Sequence, residues 1–133
     1  PLLVQGESLP RSQMLEAFRR DIGSVLFGTA SFWTGVDVPG EALRNVIMVR
    51  LPFSVPDHPL VAARQEAIER RGGRSFTEYA LPEAILRFRQ GFGRLIRSRT
   101  DSGVVVVLDR RLSASNYGKA FIQSVPECRV VLE

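Results

Sequence analysis

Apolar positions recur along this chain in two rhythms. Runs at Leu2 to Gln5, Ser24 to Thr29, Asn45 to Leu51, Val104 to Leu108 and Arg129 to Leu132 have strand length and are rich in β-branched side chains. Several lack strict alternation, the pattern of strands covered on both faces. Between them, apolar residues at helical spacing predict helices over Ser12 to Arg20, Pro59 to Arg71, Pro82 to Ser98 and Ser115 to Gln123. Pro10, Pro59 and Pro82 stand near helix starts, and Gly103 separates the third helix from the strand after it. Strands alternating with helices predict an α/β domain, a mainly parallel sheet flanked by helices. The three prolines of the segment from Leu51 to Pro59 predict an ordered surface loop, and the RRGGRS stretch from Arg70 to Ser75 predicts a flexible linker. With no repeats and no boundary in composition, residues 1–133 read as one domain.

The third predicted helix has two faces. Ile85, Phe88, Phe92, Leu95 and Ile96 gather on one side, while Gln90, Arg94 and Arg97, spaced i, i+4, i+7, form a stripe on the other. Gly91 and Gly93 lie inside it, and each costs about 1 kcal/mol relative to alanine. Such glycines imply close approach of a backbone or a phosphate. Arginines opposite an apolar stripe are otherwise an ordinary solvated face.

Charge composition sharpens this picture. The net charge is +4, and of 18 basic residues only Lys119 is a lysine. Guanidinium forks pair bidentately with phosphate, and Arg87, Arg89, Arg94, Arg97 and Arg99 crowd into one stretch. Arg19, Arg20, Arg70 and Arg71 read instead as surface helix residues. A lone Cys128 and a lone His58 leave no internal disulfide and no metal-ligand cluster, so no metal site is expected in this chain. No apolar run approaches a membrane span, and a soluble, cytoplasmic protein with no membrane partner is expected.

A complete phosphate-binding machine is missing. Gly118-Lys119 is followed by Ala120, and Ser113 stands where the opening glycine of a phosphate loop belongs. Asp109 ends a strand as a magnesium ligand does, but Arg110 and Arg111 follow it, which favours an Asp-Arg salt bridge.

The phrases SFWTGVDVPG, QGFGRLIRSRTD and VVVVLDRRL, in this order, resemble motifs V and VI of superfamily 2 helicases, specifically the DinG-type branch related to the XPD helicases. The resemblance covers essentially the whole chain and implies a RecA-like three-layer domain, the second of two motor domains. The chain starts at Pro1 without an initiator methionine and is expected to be excised from a longer protein. The resemblance implies that ATP and Mg²⁺ sit between this domain and an upstream N-terminal RecA-like domain that supplies the phosphate loop and magnesium acids. An iron-sulphur cluster, which some relatives carry, would belong only to that other part.

The resemblance also assigns roles. Arg97 is the principal arginine finger with Arg94 beside it, Gln90 orients the phosphate or the attacking water, and Gly35 and Asp37 lie near the nucleotide. Single-stranded DNA is the expected partner, with Thr29 and Ser31 offering hydroxyls to its phosphates. Trp33 stands open between base stacking and core packing. The rival reading is a non-enzymatic RecA-like module that binds nucleic acid or protein through the arginine face. A third, weaker reading is a complete phosphatase or nucleotidase, but no cysteine nucleophile motif or carboxylate pair in the sequence supports it.

Overall fold

The computed structural model describes residues 1–7, 9–34, 38, 40–55, 57–97 and 100–132. Its strands and helices intersperse along the chain: β1 (Leu2–Val4), α1 (Arg11–Arg20), β2 (Val25–Phe27), β3 (Asn45–Met48), α2 (Pro59–Arg70), α3 (Leu81–Leu95), β4 (Val104–Val107), α4 (Arg111–Ala114) and α5 (Gly118–Gln123). Short 3₁₀ turns cover Ala30–Trp33 and Gly40–Ala42, and a π turn over Phe76–Ala80 leads into α3.

Both strand pairs are parallel. β1 pairs with β2 in the register Leu2 to Val25, Leu3 to Leu26 and Val4 to Phe27. β3 pairs with β4, and the bonds from Val104 N–H to Arg44 O and from Leu108 N–H to Met48 O advance together along both strands, as only a parallel pair allows. Parallel strands connected through helices give the α/β, RecA-like class.

The chain forms two compact units, Pro1–Ile47 with Gln90–Val106, and Met48–Arg89 with Val107–Glu133. In the first, one face of α1 buries Met14, Leu15 and Phe18 against Phe32 and Val38, with Leu3, Leu26, Ala42 and Leu43 packed around them. In the second, Phe53, Phe76, Phe88, Tyr117 and Phe121 interlock, with Phe88 edge-on to Phe121 at 5.3 Å and Phe53 stacked on Phe76 at 5.9 Å. Phe121 is fully buried.

Four expectations need correction. The strand predicted over residues 129–132 is absent: Val130, Val131 and Leu132 are exposed, because β-branched residues make a strand only where a neighbouring strand accepts their backbone bonds. The last predicted helix starts late, at Gly118 as α5, and a short unpredicted helix, α4, precedes it; a Cβ at Gly118 would collide with the Leu112 carbonyl, and this close approach makes the corner between α4 and α5. The strands alternate rather than bury both faces, leaving Val25, Phe27, Ile47, Val104 and Val106 exposed.

The RRGGRS stretch is a tied turn, not a slack linker. Gly72, at φ +82°, donates its N–H to Glu69 O, and Gly73 donates to Ile68 O, the paired bonds that close a helix through a left-handed glycine. Glu78 then accepts from Arg74 N–H at 2.9 Å and from Arg71 at 2.6 Å, and these donors lower its pKa.

Candidate functional site

The stripe Ala84, Phe88, Gly91 and Leu95 is the buried side of α3, and Ile85, Phe92 and Ile96 flank it half-buried. Their placement turns Gln90 outward and leaves Arg94 half-buried. Arg97, however, is not on the helix as its spacing predicted, because α3 ends at Leu95. The Arg97 N–H donates to Asp101 Oδ2 at 2.8 Å, away from the helix ladder, and its Nε–H donates to Arg94 O at 3.2 Å. The guanidinium therefore rests against the carboxyl end of α3, where the helix dipole favours a cation.

Arg94 and Arg97 line a cleft of about 290 Å³ together with Arg44, Thr100, Asp101 and Ser102. Arg44 was not singled out in the sequence. It stands just before β3, pairs with Glu41, and its carbonyl accepts the Val104 N–H at 2.9 Å. Gly103 permits that approach, since a Cβ there would strike the Arg44 carbonyl and Leu95. The cleft thus gathers three guanidiniums and two hydroxyl side chains from separate stretches of chain, donors suited to a multiply charged phosphate.

A second polar group lies past the ends of β1 and β2. Gln5 Oε1 accepts from Thr29 N–H at 2.8 Å and from Thr29 Oγ1 at 3.0 Å, Gln5 Nε2 donates to Ser31 Oγ at 3.2 Å, and the two hydroxyls lie 2.8 Å apart. Arg11 Nη2 donates to Ser31 O at 3.0 Å and Thr34 O at 2.6 Å while its guanidinium lies 5.1 Å from the Phe32 ring centre. Thr29 and Ser31 are exposed, Trp33 is half-buried and Phe32 is the member that enters the core. Gly28 makes room for the Phe32 ring, 2.8 Å from where its Cβ would stand. Gln5 escaped the sequence reading. The only signal was positional, since parallel pairing of Val4 with Phe27 carries it to the start of the Thr29 segment.

Gly35 and Asp37 lie outside the described residues. The Asp-Arg pair expected after β4 is present: Arg111 grips Asp109 through Nε at 2.9 Å and Nη2 at 2.6 Å, and Leu51 N–H adds a bond at 2.9 Å. The Arg111 guanidinium and these backbone donors outweigh burial and hold the Asp109 carboxyl far below the ordinary carboxylate range. Among the described residues no three His, Cys, Asp or Glu side chains come together to hold a metal, and no helix is long and apolar enough to cross a membrane.

The sequence profile of the helicase C-terminal domain matches residues 1–128. The chain belongs to the helicase C-terminal domain family. Within it, the chain is of the DinG type. It is 48% identical to the ATP-dependent DNA helicase YoaA of Haemophilus influenzae over 125 residues, 94% of this chain and 19% of that protein. It is 47% identical to the ATP-dependent helicase DinG of Mycobacterium tuberculosis over 126 residues, 95% of this chain and 19% of the relative. A third relative, the 3′-5′ exonuclease DinG of Bacillus subtilis, is 45% identical over 118 residues, 89% of this chain and 13% of its own length. This helicase C-terminal domain therefore spans about a fifth or less of the relatives it matches.

Proposed function

We propose that this domain is the second motor domain of an ATP-dependent DNA helicase, supplying arginine side chains to ATP bound against a partner RecA-like domain of the same parent polypeptide. The observation that carries the reading is the cleft in which Arg94, Arg97 and Arg44 converge with Thr100 and Ser102. Its donor set fits the phosphates of ATP but not the accompanying Mg²⁺: Glu41 is paired with Arg44, and Asp101 accepts the Arg97 N–H. The magnesium acids and the phosphate loop belong to the partner domain in this reading, so the chain alone does not turn over ATP.

Hydrolysis of bound ATP supplies the free energy for movement. An arginine presented by a facing domain stabilises the charge that develops on a transferring phosphoryl group and contributes about 10³ to 10⁵ in rate. Arg97 takes that role because Asp101 fixes its backbone while its side chain stays exposed, with Arg94 beside it and Gln90 orienting the phosphate or the water. The family resemblance assigns Gly35 and Asp37 to the same nucleotide.

The Thr29–Ser31 segment is the proposed grip on single-stranded DNA. Both hydroxyls are exposed and already oriented by Gln5: a phosphate oxygen competes with Gln5 Oε1 for the Thr29 hydroxyl proton, while Ser31 Oγ accepts from Gln5 Nε2. Fuel and track then occupy different surfaces, as conversion of closure into movement requires. The test is a pair of variants in the parent. Arg97→Ala should lower kcat on the order of 10²-fold or more with little change in nucleotide affinity. Thr29→Ala should weaken DNA binding and DNA-stimulated ATPase while sparing basal ATPase. Near-normal turnover in the first, or intact DNA binding in the second, contradicts the corresponding role.

A further inference from the structure

The chain carries a second group of guanidiniums that neither proposed site uses. The Leu108 N–H to Met48 O bond sets the parallel register of β3 and β4, so the residues just past them, Arg50 and Arg110, fall within one residue of facing each other. Neighbouring strands lie about 4.8 Å apart. With Val49, Leu108, Asp109 and Arg111, these two arginines line an open cleft of about 430 Å³.

The charges in this cleft do not balance. Asp109 is committed to Arg111 and the Leu51 N–H, and Arg111 in turn lies over the Phe53 ring with 5.3 Å between guanidinium and ring centre. Arg50 and Arg110 are exposed, and no ion pair or side-chain hydrogen bond among the described residues engages either guanidinium. Like charges on adjacent strands repel, a cost that an anion between them reverses. Val49 and Leu108 expose an apolar surface beside the two charges, at 64% and 62%. Exits of parallel strands are where such sheets place ligands.

We propose that Arg50 and Arg110 hold successive phosphates of single-stranded DNA, with Val49 and Leu108 meeting the apolar face of a sugar or base. A nucleic-acid strand offers this repeat of anion and apolar surface, and the chain's membership of a helicase family makes DNA the ligand. Only the identity of the ligand rests on the function proposed above; the residues are separate from Thr29 and Ser31.

The test is binding of a fluorescent 20-nucleotide oligothymidylate to the 133-residue chain across a salt series. Arg50→Gln and Arg110→Gln should each weaken binding about 3- to 10-fold at low salt. Together they should reduce the slope of log K against log salt by about 1.4, two phosphate contacts on a single strand. Arg70→Gln, at an exposed pair with Glu66, is the control and should change neither. Arg50→Lys with Arg110→Lys keeps the charges and should retain most of the affinity, so a variant that merely melts early is recognised. Unchanged affinity and slope in the double Gln variant overturn the proposal, while a deficit in Thr29→Ala alongside leaves the DNA grip standing. Absence of oligothymidylate binding by the wild-type chain at low salt also overturns it. Equal competition by polyglutamate assigns the cleft to an acidic protein segment and overturns the nucleic-acid assignment.

Discussion

Replacing Asp109 with asparagine tests the physical account of the second unit. The carboxylate is 8% exposed and accepts from Leu51 N–H, Arg111 N–H and two nitrogens of the Arg111 guanidinium. Asparagine keeps the volume but turns an N–H toward donors and removes the charge. Charge-assisted bonds contribute about 1.5 to 3 kcal/mol when desolvated, but Arg111 is 45% exposed, so its share is screened to about 1 kcal/mol or less. Leu51 is buried, and a weakened partner for its N–H adds about 1 to 2 kcal/mol. The expected loss is about 1 to 3 kcal/mol, about 4 to 12 °C in Tm for a domain of this size.

The pH dependence has a definite sign. The folded pKa of Asp109 lies well below its ordinary 3.8, so its contribution is complete above the unfolded value and lost as pH falls toward the folded one. The stability gap between wild type and Asp109→Asn should therefore hold from pH 7 to about 5 and narrow by about 1 to 2 kcal/mol by about pH 2.5. Urea melts across this range read it directly. A gap below about 0.5 kcal/mol at pH 7, or one that does not change with acid, refutes the reasoning.

Three further substitutions probe the first unit. Phe32→Ala should cost about 3 to 4 kcal/mol in thermal or denaturant melts, because the ring is buried against α1. Half-buried Trp33→Ala should cost clearly less, and a DNA affinity loss at unchanged Tm would assign it to base stacking. Asp101→Ala should free the Arg97 N–H and reduce kcat of the parent several-fold with KM preserved; a change in KM alone would show that Asp101 does not position Arg97 for catalysis.

Much of the fold was legible because single elements decide it. The spacing of Phe88 and Leu95, with Ile85, Phe92 and Ile96 beside them, marked the buried side of α3, and the apolar runs located β1 to β4 to within a few residues. What escaped depends on partners distant in sequence. The helix stops at Leu95 because Asp101 takes the Arg97 N–H, a choice that helical periodicity does not contain. The tail at Val130 to Leu132 has strand composition but pairs with no strand among the described residues. Gln5 reaches the Thr29–Ser31 hydroxyls, and Arg44 its cleft, only through the neighbours that parallel pairing gives them. The aromatic cluster draws Phe53, Phe76, Phe88, Tyr117 and Phe121 from separate segments, and no local pattern announces their meeting.

Everything proposed for the arginine cleft rests on Arg97 acting on the transition state of ATP hydrolysis in the parent protein. The most direct measurement is the affinity of the parent for ADP alone and for ADP with a planar metal-fluoride mimic of the transferring phosphoryl group, in wild type and Arg97→Ala. A transition-state role for Arg97 gives equal ADP affinity in both and a loss on the order of 10²-fold or more for the mimic complex in the variant. Equal mimic affinity in the two proteins, or a parallel loss for ADP alone, would contradict it.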